Sequence, residues 1–317
     1  MAAIAVDGLT KDYGDLRAND DLSFEVETGE VFGYLGPNGA GKTTTIRTLL
    51  GFMRPTSGTA TVLGADIRDE AALVDAKRRI GYLPANPAFE EHVTGRELLE
   101  VHAALKGDDR LERLLDTFAP PLTRPIRELS TGNVQKLGLV QAFMHDPDLV
   151  VMDEPTAGLD PLMQREFNEF LREEVARGTT AFMSSHVLGE VRRVCDRVGI
   201  LRAGQLVAIE TVEDLLRRSG KTVRLRAAEP IDPAALDFEG VHDAEVHAVE
   251  EDGEAAAEAD GFVFGDNRIV AEATLTFTGD INRLLDVVAD YDLVDLEVEE
   301  APLEDVFMRF YGGQPDA

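Results

Sequence analysis

The run Gly36-Pro37-Asn38-Gly39-Ala40-Gly41-Lys42-Thr43-Thr44 fits the pattern G-x-x-x-x-G-K-[ST], whose residue types suit the holding of phosphate. Glycines let the backbone curl so that consecutive N–H groups face phosphate oxygens, and a helix starting there adds partial positive charge. Lys42 supplies a point charge for β- and γ-phosphates, and the Thr43 hydroxyl can ligate Mg²⁺. A Gly-rich turn that binds nothing is the alternative. The flanks argue against it: residues 31–35 read as a buried strand entering the loop, and residues 43–50 as a helix leaving it, stopped by Gly51 and Pro55. The chain is therefore expected to bind a nucleoside triphosphate. A second group of chemistry follows the apolar run 149–152. Asp153, at the end of that buried strand, is placed to help hold Mg²⁺, and Glu154 to orient and deprotonate an attacking water.

The elements that must position these residues alternate in type. Residues 1–218 read as strands and helices of an α/β domain, with strand candidates at 4–9, 22–26, 148–152, 179–184 and 197–201. Residues 95–118 read as helical, with Pro120, Pro121 and Pro125 beyond, and 134–143 as a further helix. From about residue 219 to 317 the texture changes to a small α+β domain. Residues 222–226 and 273–277 alternate like strands with one wet face. Ile281, Leu284, Leu285 and Val288 mark one amphipathic helix, and Leu303, Val306, Phe307 and Phe310 a terminal one, while 250–261 reads as an acidic, Ala-rich loop.

Composition bounds the partners. With 31 basic against 60 acidic residues the net charge is −29, so nucleic acid and anionic lipid would be repelled. Of this, residues 220–317 carry 25 acidic and 6 basic groups, a net of −19. Such self-repulsion is tolerable where salt shortens the Debye length to about 3 Å, and the composition reads as that of a halophilic cytoplasmic protein. No apolar run reaches the ~18 residues of a membrane span, so direct membrane insertion is not expected. The single cysteine, Cys195, excludes a disulfide framework and reads as a buried structural thiol.

Between the two chemical groups lies Leu129-Ser130-Thr131-Gly132-Asn133, opening a helix. This resembles the L-S-G-G-Q signature of the ATP-binding subunits of ABC transporters, keeping Leu129, Ser130 and Gly132 and departing at Thr131 and Asn133. By itself it also fits an ordinary helix N-cap at Ser130. Its place between the P-loop and Asp153 carries the resemblance. Tyr13 matches the aromatic that stacks on adenine, Ala157-Gly158-Leu159-Asp160 the loop that communicates across the dimer, and His186 the switch histidine at the γ-phosphate. Ile80-Gly81-Tyr82-Leu83-Pro84 approaches a position where the family carries a glutamine that helps ligate Mg²⁺, but this chain has Ala85. The ending Pro302-Leu303-Glu304-Asp305-Val306-Phe307 resembles the antibiotic- and multidrug-exporter branch.

The resemblance implies a P-loop NTPase core of ABC type, with antiparallel β and helical subdomains, followed by the small C-terminal α+β domain. It implies ATP and Mg²⁺ as cofactors, with Gly36 to Thr44 holding the phosphates, Thr43 and Asp153 the metal, and Glu154, His186 and Lys42 doing the hydrolysis. Ser130, Gly132 and Asp160 would face a nucleotide bound by the opposite subunit of a homodimer. A separate membrane permease is implied as partner, which places the chain peripherally at the inner face of the membrane. Two other readings stay open: a soluble non-transport ABC ATPase and a nucleotide-dependent regulator without turnover. The short interval from Lys42 to Asp153 leaves no room for the coiled coil of repair ATPases.

Overall fold

The computed structural model describes residues 2–248 and 271–300. The acidic stretch expected as a loop at 250–261 and the expected terminal helix around Leu303 to Phe310 lie outside the described residues. The chain divides into two compact units, Met1–Val212 and Glu213–Ala317.

In the first unit β1 (Ala2–Asp12) and β2 (Arg17–Glu27) form an antiparallel pair, and β3 (Val31–Leu35) runs into the P-loop and α1 (Lys42–Leu49). Then follow β4 (Ser57–Val62), β5 (Ala65–Asp66), α2 (Glu70–Ala76) and β6 (Ile80–Leu83). A helical stretch contains α3 (Gly95–Lys106), α4 (Leu111–Phe118) and α5 (Thr131–Phe143). Strands and helices then alternate: β7 (Leu149–Asp153), α6 (Pro161–Ala176), β8 (Thr180–Ser185), α7 (Leu188–Val194), β9 (Arg197–Arg202) and β10 (Gln205–Thr211). The single helix read over 95–118 is in fact two. Gly107 adopts φ 102°, which ends α3, and the chain needs residues 107–110 before α4 can start.

Two sheets make the unit. One is antiparallel, in the order β2-β1-β4-β5; the other runs β10-β9-β3-β8-β7-β6, parallel except at its β10 edge. β3, β7 and β8 are buried at every residue, which explains the apolar runs of β3 and of residues 149–152, while β8 buries Thr180, Ser184 and Ser185 as well. Phe24 of β2 stacks on Phe32 of β3 (5.8 Å) and Phe182 of β8 (6.1 Å), welding the two sheets behind the P-loop. Because β3, β8 and β7 are consecutive neighbours, their C-terminal ends bring the P-loop, His186 and Asp153 to one edge. This is where open parallel sheets place their ligands.

In the second unit α8 (Val212–Ser219) leads into β11 (Lys221–Ala227), β12 (Val241–Ala248), β13 (Ala271–Phe277), α9 (Ile281–Val288) and β14 (Leu293–Glu300). The sheet order is β12-β13-β11-β14, and α9 packs Leu284 and Val288 into a core with Val223, Leu225, Leu275 and Phe277. The α+β reading of this region thus matches the described elements.

Candidate functional site

The phosphate cradle is built by steric necessity. Gly41 is the N-cap of α1 at φ 109°, and a Cβ there would lie 2.2 Å from the Ala18 carbonyl oxygen of β2. No other residue satisfies both the torsion and the space. Lys42, only 6 % exposed, folds back so that its Nζ donates to the carbonyls of Gly36 (2.6 Å) and Pro37 (3.3 Å) and pairs with Glu154 Oε1 at 3.3 Å. The loop tip, Pro37 to Gly39, is exposed, while Gly36 and Ala40 are buried beneath it.

Thr43 Oγ1 donates to Asp153 Oδ2 at 2.7 Å, which joins the residues expected to hold a metal across 110 positions of sequence. Asp153 is 2 % exposed, and its other oxygen accepts from the Ser184 hydroxyl. In-register pairing of Asp153 with Ser184 on the neighbouring strand sets this contact. Ser184 also takes the Glu154 amide, on its carbonyl oxygen (3.1 Å) and its hydroxyl (3.2 Å). Those two bonds hold Glu154 at φ 51°, a left-handed conformation that costs a non-glycine residue about 1 kcal/mol or more. The Glu154 carboxylate is then fixed between Lys42 and His186, whose Nδ1 lies 2.9 Å from Oε2. A carboxylate only accepts, so Nδ1 carries the hydrogen and Nε2 remains for a further partner. His186 is half exposed.

A cavity of about 370 Å³ opens over this cluster, lined by Tyr13, Leu16, the P-loop, Ala85, Asp153 and Glu154. Tyr13 is 52 % exposed, so it is not a core residue. Its hydroxyl reaches Met53 Sδ at 2.9 Å, and Lys11 Nζ sits 5.2 Å from its ring centroid. Leu16, exposed and apolar, adds a second greasy wall that the sequence reading did not single out. Ala85 reaches the cavity where a glutamine would bring a carboxamide, and the neighbouring Asn86 is exposed and not among the lining residues.

Ser130, Gly132 and Asp160 do not line that cavity. Ser130 is exposed at the N-cap of α5, its hydroxyl accepting from Asn133 N at 3.4 Å; Asp160 caps α6, accepting from Met163 N at 3.0 Å. They are joined to each other: a Cβ at Gly132 would lie 2.7 Å from the Gly158 carbonyl oxygen, so the signature helix rests directly on the loop that carries Asp160. Gln135, 1 % exposed, donates to Pro155 O at 2.9 Å and ties α5 to the segment after Glu154.

Sequence reasoning placed Ser184 only as the approach to His186 and missed its contacts, and it missed Asn19 and Glu190 altogether. Glu190 accepts from the Ser185 hydroxyl at 2.7 Å and from the Thr156 hydroxyl, bracing the two chain segments that carry His186 and Glu154. Cys195 is buried, and desolvation pushes its thiol well above the usual range. His145 is buried too, its imidazole held down to about 4 chiefly by desolvation, so it is a neutral core residue. Among the described residues no helix is long and apolar enough to cross a membrane.

Residues 19–157 match the family model described as ABC transporter. The chain is 32 % identical over 313 residues to the bacitracin transport ATP-binding protein of Bacillus licheniformis, covering 96 % of each. It is 37 % identical over 226 residues to the daunorubicin resistance ATP-binding protein of Streptomyces coeruleorubidus, covering 69 % of this chain and 71 % of that one. An uncharacterized ABC transporter ATP-binding protein of Nostoc sp. is 41 % identical over 204 residues, which make 61 % of this chain and only 60 % of that relative's length. Among solved structures, an ATP-binding subunit of an ABC transporter aligns with TM-score 0.63 at 32 % identity, over 68 % of this chain and 92 % of that one. A dimeric ATP-binding cassette bound to ADP and phosphate aligns with TM-score 0.61 at 20 % identity, over 66 % and 98 %, a likeness of fold.

Proposed function

The chain belongs to the ATP-binding subunits of ABC transporters, and we propose that it hydrolyses ATP to power a separate membrane permease of the drug- and antibiotic-exporter kind. The observation that carries the catalytic part is Glu154, clamped between Lys42 and His186 and adjacent to the Thr43–Asp153 pair. In this reading Lys42 and the loop amides bind the β- and γ-phosphates, and the adenine stacks on Tyr13 beside Leu16. The oxygen set of Thr43 and Asp153 fits a hard cation, and these two residues would hold Mg²⁺, which when bound neutralises phosphate charge. Glu154 orients the attacking water and takes its proton; His186 steadies Glu154 through Nδ1 and offers Nε2 to the γ-phosphate.

Ser130, Gly132 and Asp160 serve the nucleotide of a second copy. Their position outside the cavity of their own chain supports a homodimer with two ATP molecules at the interface. The permease reading rests on likeness over nearly the whole length to the bacitracin transport relative. It places the subunit at the inner face of the membrane, held there by its partner. The net charge of −29 supports operation in high salt and argues against nucleic acid as a partner. The acidic α+β unit is an accessory domain.

Glu154→Gln tests the assignment. It should lower turnover by about 10²–10⁴-fold while ATP still binds, so that an ATP-bound dimer accumulates on size-exclusion chromatography. Turnover at the wild-type rate would remove Glu154 from the mechanism.

A further inference from the structure

Among the described residues two buried side-chain atoms have no hydrogen-bond partner, His145 Nδ1 and Asn19 Oδ1. Desolvation accounts for His145, which stays neutral with its other nitrogen on the Ile80 carbonyl. Asn19 has no such excuse. It lies on β2, is 0 % exposed, and an apolar side chain in its place would leave no orphaned oxygen.

What its amide does contact lies directly beneath the phosphate cradle. Asn19 Nδ2 is 3.3 Å from the Gly41 carbonyl oxygen and 3.0 Å from Thr45 Oγ1. The carbonyl oxygen can only accept, which fixes the nitrogen as the atom facing it. Gly41 O also accepts from Thr45 N (3.0 Å) and the Thr45 hydroxyl (3.2 Å). With its hydrogen committed there, the Thr45 hydroxyl accepts from Asn19 and from the Tyr34 hydroxyl at 3.2 Å. Tyr34, Thr45 and Asn19 are all fully buried, and their network converges on one backbone oxygen of the loop.

That oxygen matters because of the peptide plane it belongs to. In a trans peptide C=O and N–H point opposite ways. Holding Gly41 O inward therefore directs the Lys42 N–H outward, to the side where Gly41 and Lys42 line the cavity. As a glycine at φ 109°, Gly41 has no Cβ to restrict its torsions, so the hold on its carbonyl must come from neighbouring groups.

We propose that Asn19 is a positioning residue for nucleotide binding: its side-chain amide pins the Gly41 carbonyl and so presets the Lys42 amide for phosphate. The inference rests on the ATP-binding reading above. Its energetic logic is that the site accepts one unsatisfied buried oxygen to keep a donor that an apolar residue cannot supply.

The test uses the full chain with MgATP. Asn19→Leu should raise KM for ATP about fivefold, the worth of one net hydrogen bond, with kcat close to wild type and a nucleotide-free Tm no lower than wild type. Asn19→Asp keeps the shape but turns an acceptor toward Gly41 O, and should raise KM further. Should the leucine variant not fold, Asn19→Ala cannot overpack and carries the same expectation for KM. A wild-type KM in a folded variant, with only Tm lowered, would reduce Asn19 to a structural residue and overturn the inference. Lys42→Ala separates the two readings. If wild type shows no ATP turnover that this variant abolishes, the functional reading fails and takes the inference with it; if it does, the Asn19 variants decide the inference alone.

Discussion

Lys42 is nearly inaccessible and tied to two loop carbonyls and Glu154, whereas Ser130 stands exposed and holds only an amide of its own helix. The same contrast runs through both regions. Around the P-loop, Thr43, Asp153, Ser184, Glu154 and His186 form an unbroken chain of contacts under one cavity. At the signature, Ser130 and Asp160 cap helices and do not line that cavity. In the proposed reading the first region is a pre-organised binding site, and the second offers its polar groups to a nucleotide held by another copy. Under the proposed function this difference means that the chain carries two half-sites, each completed by another copy.

Three changes would sharpen or break that contrast. The largest effect belongs to Lys42→Ala. Loss of the buried cation should weaken ATP binding by about 10²-fold or more and leave Glu154 with only His186 as a partner, measured by nucleotide titration. Ser130→Ala should act differently: ATP binding to dilute protein unchanged, turnover at high protein concentration down roughly tenfold, one charge-assisted hydrogen bond lost in the closed dimer. Equal loss of monomer binding in both variants would erase the distinction between the regions. The smallest effect is a gain. Ala85→Gln puts a carboxamide into the cavity wall and should lower the Mg²⁺ concentration for half-maximal activity about two- to fivefold; no change would mean that the wall at Ala85 does not face the metal.

How far the sequence carried these conclusions differs by residue. The P-loop, Asp153, Glu154 and His186 could be singled out because each follows a largely apolar strand at the spacing of a recognisable motif. Ser184 was visible only as the approach to His186; its grip on both Asp153 and Glu154 arises from strand register, which local sequence does not encode. Asn19 likewise sits in an alternating strand like any polar residue, and only the 22-position jump to Gly41 gives it meaning. Glu154's left-handed torsion was invisible, since nothing in its residue type calls for it. In the second unit β11, β13 and α9 follow clear periodicity, but β12 and β14 were not foreseen. β14 carries Asp295, Glu297, Glu299 and Glu300, a composition that argues against a strand. It is held by pairing beside β11, where Arg224 lies 3.8 Å from Glu297 and Arg226 3.7 Å from Asp295.

The measurement closest to the central claim is an ATP-dependent cross-link between copies. In the Glu154→Gln background, one preparation carries Asn38→Cys at the exposed loop tip and the other Ser130→Cys at the signature. The native Cys195 is buried with its thiol held in the protonated form, so it does not compete. Mixed with ATP under mild oxidation in high salt, the two should give a disulfide-linked heterodimer that neither preparation gives alone and that ADP does not support. Monomers throughout, or a cross-link indifferent to ATP, would contradict a site completed by the opposite subunit.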